Sequence, residues 1–370
     1  MTSRLEFVML ASVPGANISA LCQVFGISRK TAYKWISLFN KQGKQGLVDR
    51  SRRPVNSPGR SDDQLESLVI ALHDAHPCWG SRKLQALLPE QSARPHPNTI
   101  TAILRRHGRQ VMPSSDAGPP ANRRFEHEAP NLLWQMDFKG NFALTDPKAG
   151  RCHPLTILDD HSRFAICLKA CAGETGEETK RALIDTFRQY GLPERFTCDN
   201  GNPWGTPKQN GLTKFEVWLL KLGVGVSHSR PMHPQTQGKD ERFHRTLKFE
   251  LLDRRGFNSL EKCQPVFDEW REQYNTVRPH YALGQKPPVS RYLISARGYP
   301  EVLPLIEYPS GEFVRKVRGN GHIAFLGQQL YVGEGLVGEP VAVRPTDADG
   351  LWKVVFCNRT VREFDLRNAQ

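Results

Sequence analysis

Residues 231–250 read PMHPQTQGKDERFHRTLKFE. Proline and glycine punctuate the first eight positions, and a helix-favouring run starts at Lys239. On a helix, Glu241, His244, Arg245 and Lys248 fall at i, i+3, i+4 and i+7 and share one face. One carboxylate and three basic groups therefore point the same way, while Phe243, Leu247 and Leu251 supply an apolar side. Standing alone, such a stripe is most often a solvated, salt-bridged face. Asp240 adjoins Glu241 but points about 100° away on a helix, so only one of the two can face a given site.

Two earlier carboxylates give the stripe a context. Asp137 lies in LLWQMDF (132–138) and Asp199 in RFTCDNG (195–201), each at the end of a β-favouring run. Burying an acid among such residues is unfavourable unless a cation neutralises it. Three oxygen donors that leave room for water and phosphate suit Mg²⁺ or Mn²⁺. Two such ions can clamp both the attacking and the leaving oxygen of a phosphodiester.

In this order and spacing, WQMD, DNG and PQTQGKDERFHRTLK, followed by Tyr274-Asn275, Arg278-Pro279-His280, Leu283 and Pro287, resemble the catalytic core of bacterial insertion-sequence transposases. Those proteins belong to the DDE, or retroviral-integrase, superfamily. The resemblance spans residues 131–292 closely and the flanks more loosely. It implies a central RNase H-like α/β/α catalytic core with a mixed five-stranded sheet. It also implies that Asp137, Asp199 and Glu241 are the catalytic and metal-binding acids, holding Mg²⁺ or Mn²⁺, expectedly as two ions. The activity implied is polynucleotidyl transfer, with transposon-end and target double-stranded DNA as partners. Arg245 and Lys248, one and two turns beyond Glu241, are placed to hold DNA phosphates. Joining two ends implies a homo-oligomer, at least a dimer on DNA. Asp159 or Asp160 matches the family's acidic turn with Ser162 and Arg163, and the turn is read as structural.

Charge agrees with a polyanionic partner. The 370 residues carry a net charge of +13, and the first 60 hold ten Lys/Arg against two Asp/Glu. The eight cysteines include no Cys-x-x-Cys and read as buried thiols of a reducing compartment. No leader or long apolar run is evident, so a cytoplasmic, nucleoid-associated protein without membrane contact is expected. His73, His76 and Cys78 lack a second cysteine at zinc-site spacing, so no zinc is expected.

Residues 5–12, 18–25 and 29–39 read as three helices with a Gly26-Ile27-Ser28 turn before the third, a helix-turn-helix pattern. Ser28, Arg29, Lys30, Thr31, Tyr33 and Lys34 would face the major groove or its phosphates, and Arg50, Arg52 and Arg53 would follow a phosphate backbone or minor groove. A second helix-turn-helix over 61–110 offers Arg82, Lys83, Thr99, Arg105 and Arg106 as weaker phosphate contacts. Short strand-like runs between 323 and 364, separated by Gly turns, suggest a small β-barrel. The expected chain is thus multidomain α+β: 1–60 helix-turn-helix with basic linker, 61–110 second helix-turn-helix, 111–130 linker, 131–295 catalytic core, and 310–370 small β-barrel. Two rivals share these features: a domesticated sequence-specific DNA-binding regulator with an inactive core, and a plain RNase H-like nuclease.

Overall fold

The computed structural model describes residues 3–49, 60–90, 94–110, 126–199, 201, 204, 211–228 and 238–367. Two compact units divide at Asp62.

The first unit, Met1–Asp62, is a small helical bundle. Helix α1 is Ser3–Ala11, α2 is Ile18–Val24 and α3 is Arg29–Gln42. Phe7, Val8, Cys22, Ala32 and Leu47 form its buried centre, with Phe25 and Trp35 packed edge-on against Phe7 at 5.4 and 5.8 Å. Asn17 and Ser28 cap α2 and α3. Between them Gly26 takes φ +64, a left-handed conformation that costs glycine little.

The second unit opens with α4 (Asp63–Ala75), α5 (Ser81–Leu87) and α6 (Pro97–Arg106), closed over Val69, Trp79, Leu84, Ile100 and Ile103. The central sheet follows. Its strands are β1 (Trp134–Phe138), β2 (Phe142–Ala143), β3 (Arg151–Asp159), β4 (Ala165–Cys171), β5 (Arg195–Cys198) and β6 (Gly225–His228). They lie in the order β4-β3-β1-β5-β6, with the two-residue β2 paired to the start of β3. The first pairings are antiparallel, and β1-β5 and β5-β6 are parallel, which makes the sheet mixed. This is the RNase H-like core.

Alternation along the strands serves two layers. Trp134, Met136 and Phe138 pack with Leu183 and Phe187 of α7 (Gly176–Tyr190) and Trp218 and Leu219 of α8 (Lys214–Lys221). Leu158, Ala165 and Leu168 pack with Phe243 and Leu247 of α9 (Gly238–Leu247) and Phe267 and Trp270 of α10 (Leu260–Thr276). A π-turn, Lys248–Leu252, leads out of α9, and its Glu250 meets Arg278 at 2.9 Å in a buried ion pair.

Strand β4 is a sheet edge, and α10 covers it with side chains. Asn275 accepts from the Ala165 amide at 2.7 Å and donates to its carbonyl at 3.0 Å. Gln264 does the same for Ala170 and Leu168, and Arg271 donates to Ile166. Polar groups that would otherwise template another strand are thereby occupied.

At the carboxy-terminal end, β7 (Phe313–Lys316), β10 (Pro340–Pro345), β11 (Leu351–Phe356) and β12 (Arg359–Asp365) form an antiparallel sheet in the order β12-β11-β10-β7. Strands β8 (His322–Phe325) and β9 (Gln328–Tyr331) form a separate hairpin. The expected small barrel is therefore not closed by main-chain ladders among the described residues. Arginine side chains span the gaps instead: Arg315 donates to the Ala324 carbonyl at 3.1 Å, and Arg362 to the Tyr331 carbonyl at 2.9 Å. This domain shares its core with Leu212 and Val217 of the central domain. Gly335 allows the approach, because a Cβ there would collide with the Leu212 carbonyl.

Phe267 is fully buried between α10 and the sheet. Phe267→Ala should cost about 3–5 kcal/mol, read as a lower urea midpoint for the core transition with an unchanged slope. A loss below about 1 kcal/mol would mean that α10 contributes little to holding the sheet.

Candidate active site

Parallel pairing places two of the expected acids side by side. Trp134 pairs with Phe196 and Gln135 with Thr197. The ladder ends there; Asp137 lies two residues further along β1 and Asp199 directly follows β5, close enough for its charge to act on Asp137. Burial first, and then the Asp199 carboxylate, push Asp137 up to about 7. Gly201 donates its amide to Asp199 Oδ1 at 3.0 Å, closing a tight turn after the strand. Trp204 caps this end of the sheet, stacked on Phe138 at 5.5 Å. Asn200, which follows Asp199 in the sequence, lies outside the described residues.

Behind Asp137 stands a polar relay that the sequence did not signal. Thr156, its cross-strand partner, donates its hydroxyl to the Asp137 carbonyl at 2.9 Å. The same oxygen lies 2.7 Å from His244 Nε2. With the hydroxyl hydrogen already committed, Nε2 must carry the ring hydrogen. Nδ1 is then bare and faces Asp137 Oδ2 at 3.9 Å. Burial pushes His244 down to about 3, so the ring is neutral.

Helix α9 presents the third candidate. Seen down its axis, Asp240 and Glu241 flank His244 by about 40° and 60° on opposite sides. Asp240 is buried, and Glu241 is exposed. Asp240 Oδ1 has no hydrogen-bond partner among the described residues. Burial, then Asp137, then Asp160, drive its carboxyl well above the usual range. The structure thus brings Asp137 and Asp199 together and leaves Glu241 outside their cluster. Among the described residues, no three His, Cys, Asp or Glu side chains gather closely enough to hold a metal ion. The loop 229–237 that leads into α9, including His233, lies outside the described residues.

Asp160 anchors the start of α9. Its carboxylate accepts from Lys239, from Gln135 at 2.8 Å, and from both the amide and the ring of His127 at 2.9 Å. Its carbonyl also accepts from Lys239 at 3.0 Å. Burial alone would raise this carboxyl; the Lys239 ammonium and the His127 bonds outweigh it and hold it below its ordinary value. Asp159 is buried next to it and accepts from the Asn131 amide and from the amide and hydroxyl of Ser162. The turn therefore spends both acids on local structure.

The candidate DNA-contacting side chains divide. On α3, Ser28, Arg29, Lys30, Tyr33 and Lys34 are exposed, while Thr31 is half-buried and bonded to Ser28. Arg50, Arg52 and Arg53 lie outside the described residues. Arg245 and Lys248 are exposed on and just beyond α9. In the second helical domain two expected contacts are committed elsewhere. Lys83 is buried, and Arg106 pairs with the buried Glu66, which also meets His107 at 2.8 Å. A buried carboxylate draws in cations from its own domain.

Comparison with known proteins follows the same divisions. Models described as "Integrase core domain" match residues 127–234 and 222–288. A "Helix-turn-helix domain" model matches 3–54, a "Homeodomain-like domain" model 31–104, and an "IS481 family transposase, C-terminal domain" model 312–370. The chain is 27% identical over 246 residues to the insertion element IS476 uncharacterized 39.2 kDa protein of Xanthomonas euvesicatoria, covering 66% of this chain and 68% of that one. It is 24% identical over 355 residues to the putative transposase for insertion sequence element IS5376 of Geobacillus stearothermophilus, covering 93% and 83%. Among solved structures, a simian T-cell lymphotropic virus intasome chain matches at 16% identity and TM-score 0.41, over 79% of this chain and 94% of that one. The HTLV-2 integrase catalytic core domain in complex with magnesium matches at 17% identity and TM-score 0.34, over 45% and 99%.

The protein is an integrase-core protein with amino-terminal helix-turn-helix domains. It is similar to relatives named as insertion-element proteins and transposases, and its carboxy-terminal domain matches that of the IS481 family transposases.

Asp160→Ala removes the counter-charge of a largely buried lysine and the anchor of residue 127. It should lower stability by about 3 kcal/mol, measured by urea unfolding of the full chain. A loss within about 0.5 kcal/mol would show that Lys239 finds solvent freely and that α9 is anchored elsewhere.

Proposed function

We propose that this protein binds the ends of its own DNA element, cleaves them and joins them to target DNA by metal-dependent transesterification. The observation that carries this reading is the Asp137–Asp199 pair: two carboxylates at the ends of adjacent parallel strands, where burial first and then the Asp199 charge raise Asp137 to about 7. Such a pair favours a cation, and hard carboxylate oxygens fit Mg²⁺ or Mn²⁺. Asp137, Asp199 and Glu241 would hold the metal, expectedly two ions. When bound, it would neutralise developing charge and lower the pKa of an attacking water or 3′-hydroxyl.

The protein's own groups do the remainder. Thr156 and His244 hold the Asp137 main chain and keep the floor of the site neutral. Exposed Arg245 and Lys248 grip backbone phosphates beside it. Ser28, Arg29, Lys30, Thr31, Tyr33 and Lys34 present α3 to the major groove, with Arg50, Arg52 and Arg53 along the backbone. We assign 1–60 and 61–110 to end binding, 111–130 to a linker, 131–295 to catalysis and 310–370 to assembly or DNA contact. Pairing two ends calls for at least a dimer, acting at the nucleoid in the cytoplasm. Among the described residues, no helix is long and apolar enough to cross a membrane.

One observation favours a second reading, a DNA-binding regulator with an inactive core. Glu241 is exposed and stands apart from the acid pair. Labelled end DNA with Mg²⁺ separates the two readings. Asp137→Asn, Asp199→Asn and Glu241→Gln should each keep end binding and lower cleavage and strand transfer by on the order of a thousandfold. Wild-type protein that binds ends but never cuts would establish the regulator. Activity retained in Glu241→Gln and lost in Asp240→Asn would move the third acid by one residue.

The basic face of α3 makes a separate forecast. Arg29→Ala, Lys30→Ala and Lys34→Ala combined should reduce the slope of log affinity against log salt by about 3, measured by fluorescence anisotropy on end DNA. An unchanged slope would remove α3 from the phosphate contacts.

A further inference from the structure

Asp199 has a support of its own, built from residues outside the acid set. Strand β6 pairs Cys198 with His228, so the His228 ring lies beside the end of β5. Its Nδ1 is 2.8 Å from the Asp199 main-chain carbonyl, and its Nε2 is 3.1 Å from Glu216 Oε1. A carbonyl and an ionised carboxylate only accept. Each ring nitrogen therefore carries a hydrogen, and the ring is an imidazolium with both donors engaged.

Glu216 is itself fixed. It is buried, and its second oxygen accepts from the Thr213 amide at 2.7 Å in the capping box that starts α8. Burial alone would raise its carboxyl; the bonds from His228 and Thr213 outweigh that and hold it below the ordinary range. The Thr213 hydroxyl donates to the Trp204 carbonyl at 3.4 Å, Trp204 donates to the Gly201 carbonyl at 3.0 Å, and Gly201 donates back to Asp199 Oδ1 at 3.0 Å. The chain of bonds begins at the carbonyl of Asp199 and returns to its carboxylate.

We infer that His228 is a positioning residue for Asp199, with Glu216 as its buried counter-ion: together they fix the strand end and the direction in which the Asp199 carboxylate points. The inference rests on the reading of Asp199 as a metal ligand. A pair that served stability alone could bond any main-chain carbonyl. This one bonds the carbonyl of the acid itself, and its far end holds the turn that orients the acid's side chain. Because the pair is neutral as a unit, it orients Asp199 without cancelling the charge a divalent cation needs. Hydrogen bonds behind a ligand of this kind typically alter metal affinity by about tenfold or more.

The test uses the full chain and two readouts: Mn²⁺ binding by calorimetry without DNA, and the Mg²⁺ dependence of strand transfer. His228→Phe keeps the ring and removes both donors. It should weaken Mn²⁺ binding about tenfold and shift the Mg²⁺ midpoint equally, with high Mg²⁺ recovering rate and end-DNA affinity unaltered. Glu216→Gln can retain a neutral bridge and should fall between wild type and His228→Phe. Asp199→Asn should be inactive at every Mg²⁺ concentration. Normal cleavage by Asp199→Asn would overturn the reading of the site. An inactive Asp199→Asn beside a His228→Phe that binds Mn²⁺ like wild type would overturn the positioning role alone. His228→Gln keeps one donor and decides the question if His228→Phe does not fold: weaker Mn²⁺ binding supports the role, and unaltered binding overturns it.

Discussion

Two like charges held at one strand spacing set the problem that the surrounding structure answers. The parallel pairing of β1 and β5 brings Asp137 and Asp199 to the same end of the sheet, and neither strand can slip without turning its apolar side chains out of the core. The repulsion is therefore built into the packing of Trp134, Met136 and Phe196 and cannot relax by local movement. Lys139 and Glu174 act on Asp137 in opposite directions, and three further groups near the pair are neutral or already compensated. His244 is uncharged, Glu216 and His228 cancel, and Lys239 is paired with Asp160. An external cation remains the natural complement.

The same economy explains residues far from the acids. Tyr274-Asn275 and Arg278 look like a closing signature in the sequence, and the fold gives each a physical task. Asn275 replaces a missing strand at the edge of β4, with one acceptor and one donor on a single residue. Tyr274 meets Phe243 edge-on at 5.0 Å, tying α10 to the buried side of α9. Arg278 neutralises Glu250 where α9 gives way to a π-turn. These contacts bind α10 to both the sheet edge and α9. The site helix is thus held by the element that seals the sheet.

Much of this was legible in the sequence, and the failures share a cause. The acids at strand ends, the three helices of the first unit and the turn before α3 follow from local patterns of period two and of 3.6 and from turn chemistry. Strand β7 was missed because it is mostly exposed and lacks alternation, and β2 because two residues make no pattern. The barrel expectation counted strands but could not know that Arg315 and Arg362 stand where ladders would close. Lys83 and Arg106 looked like phosphate ligands because burial and the needs of Glu66 depend on neighbours distant in sequence. The pairing of Asp137 with Asp199 followed only from the family pattern; the spacing of 62 positions between them carries no contact information by itself.

The choice between Asp240 and Glu241 turns on what α9 can still do. Lys239 is bound to Asp160, His244 to Thr156, and Phe243 and Leu247 are packed in the core, so three sides of the helix are fixed. Rolling the helix toward either acid would break all of these contacts together. Asp240 is enclosed by that arrangement, whereas Glu241 is exposed. A third ligand supplied without moving the backbone must come from side-chain rotation alone. Under the proposed function Glu241, with one more rotatable bond than aspartate and on the open side of His244, would supply that ligand by rotation, whereas Asp240 is already fixed where burial and then the Asp137 charge raise its carboxyl.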